Sequence, residues 1–320
     1  MGSAADHHAQ PLWAITSYFN PMRYRRRLAN YHTFREHLPL PLITVELAFG
    51  GEEEFDLREG EADILIQLRG RDVLWQKERL LNVALRALPS ECTKVVWLDC
   101  DVVFGEDGWV EEVSRLLDEF VLVQPYSRVH HLPADLPLHQ ASPAAAEFSR
   151  SSTASLVASG ISARACLSRP PETPYQERNS NGYAWAARRE LLGQHSFYDA
   201  RIVGGGDRAM AAAAYGIFDE MMWLQSMNER QEKYYLAWAK PYFESVGGAV
   251  SVADYNLFHL WHGEMRDRRY GERHEGLGRF QFDPYEDIAI DENGSWRWAS
   301  DKPQMHHYVR EYFASRREDG

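Results

Sequence analysis

Cysteine is scarce in this sequence: Cys92, Cys100 and Cys166 are the only three in 320 residues. They form neither a ligand-spaced cluster nor an even-numbered set, which argues against a disulfide framework or a cysteine-built zinc site. No apolar run approaches the ~20 residues that a bilayer-spanning helix needs. Residues 1–11 are polar and contain histidine, without the apolar stretch of a secretory signal. Together these absences predict a cytoplasmic protein with no membrane span. Basic residues are in the minority, 35 Lys and Arg against 47 Asp and Glu, for a formal net charge of −12. Broad, sequence-independent binding of nucleic acid is therefore disfavoured, because it rests on neutralising phosphates. A local basic groove remains open, since distribution matters more than the sum. What is present, 44% hydrophobic and 26% charged residues, fits a globular enzyme long enough to bury a sizeable core.

The first part of the chain alternates strand and helix signals. Residues 12–19, 41–49 and 62–68 read as strands, 25–38 and 73–88 as helices, and 94–98 as an apolar strand covered on both faces. Residues 109–120 form a further helix and 121–125 a strand. This rhythm predicts an α/β fold, a Rossmann-like and mostly parallel sheet flanked by helices. Residues 126–180, rich in Ser, Ala, Pro and His, read as a long loop with short helices. Residues 184–192, 208–215 and 221–243 look helical. Asn293-Gly294 marks a hairpin between 288–290 and 296–298, and a helix over 304–317 closes the pattern. With no repeat or low-complexity linker, residues 12–263 read as one domain and 264–320 as a C-terminal extension packed on it.

Three motifs carry chemistry. Asp99-Cys100-Asp101 ends the apolar strand, and alternation sends both carboxylates to one side. Two carboxylates there repel each other unless a cation or hydrogen-bond donors sit between them. A hard divalent ion held by carboxylates and substrate phosphates resolves the conflict; the structural alternative is a pair of turn caps. Gly204-Gly205-Gly206-Asp207 permits a tight turn and presents a carboxylate near a helix start. Asp207 there is either an N-cap or a general base for an acceptor hydroxyl. No Lys-Ser/Thr follows, so a P-loop is unsupported. His259-Leu260-Trp261-His262 is the third. On a regular strand the two histidines face opposite ways, so one of them would complete the site begun by the aspartates.

Taken in this order, the βαβ start, the Asp-x-Asp, the Gly-Gly-Asp turn about a hundred residues on and the late histidine resemble GT-A glycosyltransferases. Residues 181–207, from Asn181-Gly182-Tyr183-Ala184-Trp185 to Gly206-Asp207, look like the galactosyltransferase-like segment of that superfamily. The resemblance covers residues 12–263 by motif order. It implies a hexosyl transfer from a nucleotide diphosphate sugar, UDP-linked, to an acceptor hydroxyl. Asp99 and Asp101 would hold Mn²⁺ or Mg²⁺ at the donor phosphates, with His262 as the late ligand and His259 as the substitute. Asp207 would be the base of an inverting transfer, although Arg208 stands where such families carry a second acid. Thr16, Ser17, Glu46 and Lys77 fall where the fold contacts the donor, together with Asp99. Gly205, Gly206, Trp185 and Trp261 fall near the sugar or acceptor.

The acceptor classes open at this point are a saccharide, a lipid-linked sugar or a modified base in DNA. The basic runs Arg23-Tyr24-Arg25-Arg26-Arg27 and 266–273 keep the DNA acceptor open. Ser17-Tyr18-Phe19-Asn20-Pro21 early, with Tyr312-Phe313 and Arg316-Arg317-Glu318-Asp319 late, resembles glucosyltransferases of hydroxymethylated DNA bases, the alternative within the same chemistry. A metal-dependent nucleotidyltransferase is the rival enzyme class. Its usual Gly-rich basic loop after the first strand is replaced here by Tyr18-Phe19-Asn20-Pro21.

Overall fold

The computed structural model describes residues 12–50, 54–168, 173–270 and 272–320; the polar start at residues 1–11 lies outside them. The chain begins with strand β1 (Leu12–Phe19), helix α1 (Arg25–Glu36), β2 (Leu42–Phe49) and β3 (Ile64–Gly70). Helix α2 (Lys77–Arg86), β4 (Lys94–Leu98), β5 (Val102–Phe104), α3 (Trp109–Glu119) and β6 (Leu122–Gln124) follow. The middle holds β7 (Arg128–His131), β8 (Phe148–Ser151), α4 (Thr153–Ala158), α5 (Ala163–Leu167), β9 (Ala184–Arg188) and α6 (Arg189–His195). Then come α7 (Gly206–Ala214), α8 (Phe218–Leu224), α9 (Glu229–Val246), β10 (Val250–Val252) and β11 (Asn256–His259). The last elements are α10 (Arg273–Gly278), β12 (Ile288–Ile290), β13 (Trp296–Trp298) and α11 (Pro303–Ser315).

The expected mostly parallel α/β sheet is present. Among the described residues seven strands run in the order β10-β6-β9-β4-β1-β2-β3, and of these only β9 opposes its neighbours. Period-two alternation divides the core between the two faces of this sheet. Trp13 and Ile15 of β1 and Val95 and Trp97 of β4 point to one face. Leu12, Ala14, Val96 and Leu98 point to the other. All eight residues of β2 are buried, as a strand covered on both faces requires. Among the described residues no helix is long and apolar enough to cross a membrane.

Three expectations about local structure are corrected. Residues 184–188 form the reversed strand β9 rather than the start of a helix. Ladder pairing with β4 on one side and β6 on the other overrides the helical propensity of its alanines. The single helix expected over 221–243 is two. The Asn228 side chain accepts from the amides of Arg230 and Gln231 and so starts α9 afresh. Residues 126–180 hold the expected short helices, α4 and α5, but also two strands that were not expected: β7 and β8 join β5 and β11 in a second sheet of order β5-β11-β7-β8. Their polar sequences, Arg-Val-His-His and Phe-Ser-Arg-Ser, carry none of the apolar alternation that marks a strand.

Candidate active site

The parallel strands β1 and β4 deliver their C-terminal ends to one cavity, where open α/β sheets bind ligands. Ser17 and Phe19 reach it from β1, and Asp99, Cys100 and Asp101 from the turn after β4. Gly205 and Asp207 enter at the start of α7, His259 at the end of β11, and Arg268, Tyr270, Arg273 and Arg316 from the C-terminal segment. Among the described residues eight Arg or Lys side chains line this cavity against three carboxylates. An acidic chain thus concentrates positive charge in one place.

The two aspartates expected to share an ion face different partners. Asp99 Oδ1 lies 2.5 Å from Lys77 Nζ. The same ammonium donates to both oxygens of Asp207, at 2.9 and 2.8 Å. Lys77 therefore ties the end of β4 to the start of α7. Burial opposes its charge, but the Asp207 and Asp99 carboxylates hold its pKa well above the ordinary value. Gly182 lets Asp207 approach closely, because a Cβ there would sit 3.0 Å from Asp207 Oδ2.

Asp101 faces two histidines. Its Oδ2 is 2.9 Å from His262 Nε2 and its Oδ1 is 3.9 Å from His259 Nε2. The two ring nitrogens are 3.1 Å apart, and one donor atom from each of the three residues fits within a 4.8 Å span. The reasoning from a regular strand missed this convergence because β11 stops at His259. The Leu260 amide donates to the Asp101 carbonyl at 2.8 Å, and the chain then turns through Gly263 at φ +91°. Both histidines so come to one side.

The donor set fits a divalent cation. Burial pushes the His259 pKa well below its ordinary value, which leaves a neutral imidazole. Among the described residues Asp101 Oδ1 is buried without a hydrogen-bond partner, an arrangement that calls for positive charge. The Arg268 guanidinium donates to His262 Nε2 at 2.8 Å and supplies part of it. One carboxylate and two imidazoles suit Mn²⁺ better than Mg²⁺, whose preferred ligands are all oxygen.

Other expected contacts lie away from the cavity. Thr16 is fully buried and its Oγ1 donates to the Leu98 carbonyl at 2.7 Å. Glu46 is buried beneath the loop after β2, accepting from the Asp56 amide at 2.6 Å and Gln67 Nε2 at 2.9 Å. Trp185 packs within the sheet, its Nε1 donating to the Asn181 carbonyl at 2.8 Å. Trp261 carries the Arg26 guanidinium 5.3 Å from its ring centroid. Gly206 packs on Glu78, while Gly205, at φ +98°, does line the cavity. Conversely, the Tyr270, Arg273 and Arg316 wall was signalled only by the basic run at 266–273 and by the late Arg316-Arg317.

Two stability predictions arise from this geometry. Burial, reinforced by Asp207, pushes the Glu78 pKa from 4.5 up to about 8. A raised acid holds a proton in the folded state that the unfolded chain releases, so stability falls as pH rises between those values. Glu78→Gln is expected to flatten this dependence and to raise Tm by about a few degrees at the upper end. Parallel Tm curves for the two proteins would refute it. At Gly263 an added Cβ would lie 2.8 Å from the Arg316 carbonyl and 2.9 Å from that of Arg317. Gly263→Ala should cost ~1–3 kcal/mol or more in urea unfolding, since neither backbone can yield cheaply.

Neither a protein-family model nor a curated protein matches the sequence. Solved structures match at low identity. S. aureus TarS 1–349 in complex with UDP-GlcNAc is 11% identical, with a TM-score of 0.40, covering 96% of this chain and 72% of that one. The catalytic domain of Drosophila β1,4-galactosyltransferase 7, in complex with xylobiose, is 10% identical, with a TM-score of 0.36. That match covers 94% of this chain and 99% of the other. A likeness of this size carries no argument about activity, which rests on the cavity itself.

Proposed function

We propose that this protein is a divalent-cation-dependent glycosyltransferase that moves a sugar from a UDP-linked donor to an acceptor hydroxyl. The observation that carries the reading is the Asp101–His259–His262 cluster, set in the same arginine-lined cavity as Asp207. Asp101, His259 and His262 would hold the cation, which as a Lewis acid would offset negative charge on the departing diphosphate.

The chain's own residues supply the rest. Asp207 accepts the proton of the acceptor hydroxyl while that oxygen bonds to the anomeric carbon. The bond from that carbon to the diphosphate oxygen breaks, and its electron pair leaves with the phosphate. A direct displacement of this kind inverts the anomeric centre and needs no covalent nucleophile. Lys77, held by Asp99 and Asp207 together, fixes the direction of the Asp207 carboxylate. Gly205 and Gly182 keep side chains out of the way of an approaching acceptor. Holding acceptor, base and donor in one cavity supplies much of the remaining rate.

The test is incubation with a panel of nucleotide sugars, UDP-linked ones first, with Mn²⁺ or with EDTA, reading nucleoside diphosphate release. Slow cation-dependent release from one donor is expected even without an acceptor. Pyrophosphate release from a nucleoside triphosphate would replace this reading with nucleotidyl transfer.

A further inference from the structure

Among the described residues one wall of the cavity comes from the C-terminal segment, from Tyr270, Arg273 at the start of α10 and Arg316 just after α11, with Tyr312 of α11 fully buried against the two guanidiniums. Arg273 and Arg316 are only 6% and 4% exposed. Both guanidiniums donate to the same phenol oxygen of Tyr312, Arg273 Nη1 at 2.7 Å and Arg316 Nη1 at 3.1 Å. Arg273 also lies 4.8 Å from the ring centroid of Tyr270. Gly204, at φ +81°, lets the glycine turn close on this wall, since a Cβ there would meet Arg273 Nη1 at 3.2 Å.

The charges in this wall do not balance. Glu318 contacts Arg316 and Arg27 at 2.5 Å each, so one carboxylate serves two guanidiniums. Among the described residues no carboxylate contacts Arg273, whose hydrogen bonds go to the Tyr312 phenol and the His274 ring. A buried guanidinium paired only with neutral groups is costly unless an anion joins it. The phenols report the same field. Burial would raise the Tyr270 pKa, yet Arg268, Arg273 and Arg316 bring it down to about 8. Tyr312 is lowered as well, by Arg273 and Arg316 against the effect of burial.

We propose that Tyr270, Arg273 and Arg316, the two arginines braced by Tyr312, form an anion subsite that takes a phosphoryl group. Planar guanidiniums gathered on one oxygen match phosphate by paired N–H donation. The group belongs either to the diphosphate of a nucleotide donor or to a phosphate-bearing acceptor. Only this choice of source rests on the function proposed above; the subsite itself does not.

The full chain is titrated with inorganic phosphate, pyrophosphate and UDP without divalent cation, by calorimetry and by phenolate absorbance at pH about 8. Each anion is expected to bind and to lower phenolate absorbance, because added negative charge pushes the phenols back up. Arg273→Gln should weaken binding roughly tenfold to a hundredfold, and Arg273→Lys, which keeps the charge but not the fork, by less. Loss of phosphate binding under saturating UDP assigns the subsite to the donor; persistence assigns it to an acceptor phosphate. Silence of all three anions, or unchanged affinity in either folded variant, overturns the proposal. No sugar is present, so a protein that fails the donor panel can still pass this test.

Discussion

Asp207→Asn is expected to lower sugar transfer by ~10²–10⁴-fold, the usual contribution of a positioned base, while UDP affinity stays within about threefold. The substitution is nearly isosteric, and the amide oxygen keeps one contact with Lys77 Nζ, which now donates to both Asp207 oxygens at 2.9 and 2.8 Å. What it removes is the capacity to take a proton. The informative control is Asp99→Asn. Asp99 meets the same ammonium at 2.5 Å, so this variant also disturbs the ion pair and leaves the base in place. If Asp207 is the base, kcat falls far more in Asp207→Asn than in Asp99→Asn. If Asp207 only positions Lys77, the two variants lose activity together, and near-normal transfer by Asp207→Asn removes it from the chemistry altogether.

The second large effect is expected at Asp101. Asp101→Asn should weaken Mn²⁺ binding, measured by calorimetry with UDP present, by more than about a hundredfold, beyond the effect of losing an outer partner of a ligand. The carboxylate is the sole anionic donor in a cluster whose other members are the His259 and His262 rings. Folding should be preserved, because the 2.8 Å bond that secures this turn runs from the Leu260 amide to the Asp101 carbonyl and involves no side chain. Unchanged Mn²⁺ affinity in a folded variant defeats the cation site, and with it the cation dependence of the proposed reaction.

The sequence made the frame of the sheet legible and left its insertions hidden. β1, β2 and β4 were readable because their apolar runs are long and strand-like, and the Asn293-Gly294 hairpin because its turn chemistry is specific. β9 was not, since Ala184, Ala186 and Ala187 suggest a helix until β4 and β6 flank them. At the cavity, position at a strand end drew attention to Asp99 and Asp101, and the glycine turn to Asp207. Their division between Lys77 and the histidines was invisible, because it depends on where β11 stops and how Gly263 turns. The cationic wall joins Arg273 to Tyr312 and Arg316 across some forty positions of chain, a distance over which local patterns carry no information.

Glu318 clasps Arg27 and Arg316 and stands 3.7 Å from His262 Nδ1, directly behind one member of the histidine pair. The tail is therefore a back-stop for the imidazole rather than a loose appendage. Glu318→Gln should loosen that ring, and with it the hold on a cation, before it disturbs the sheet.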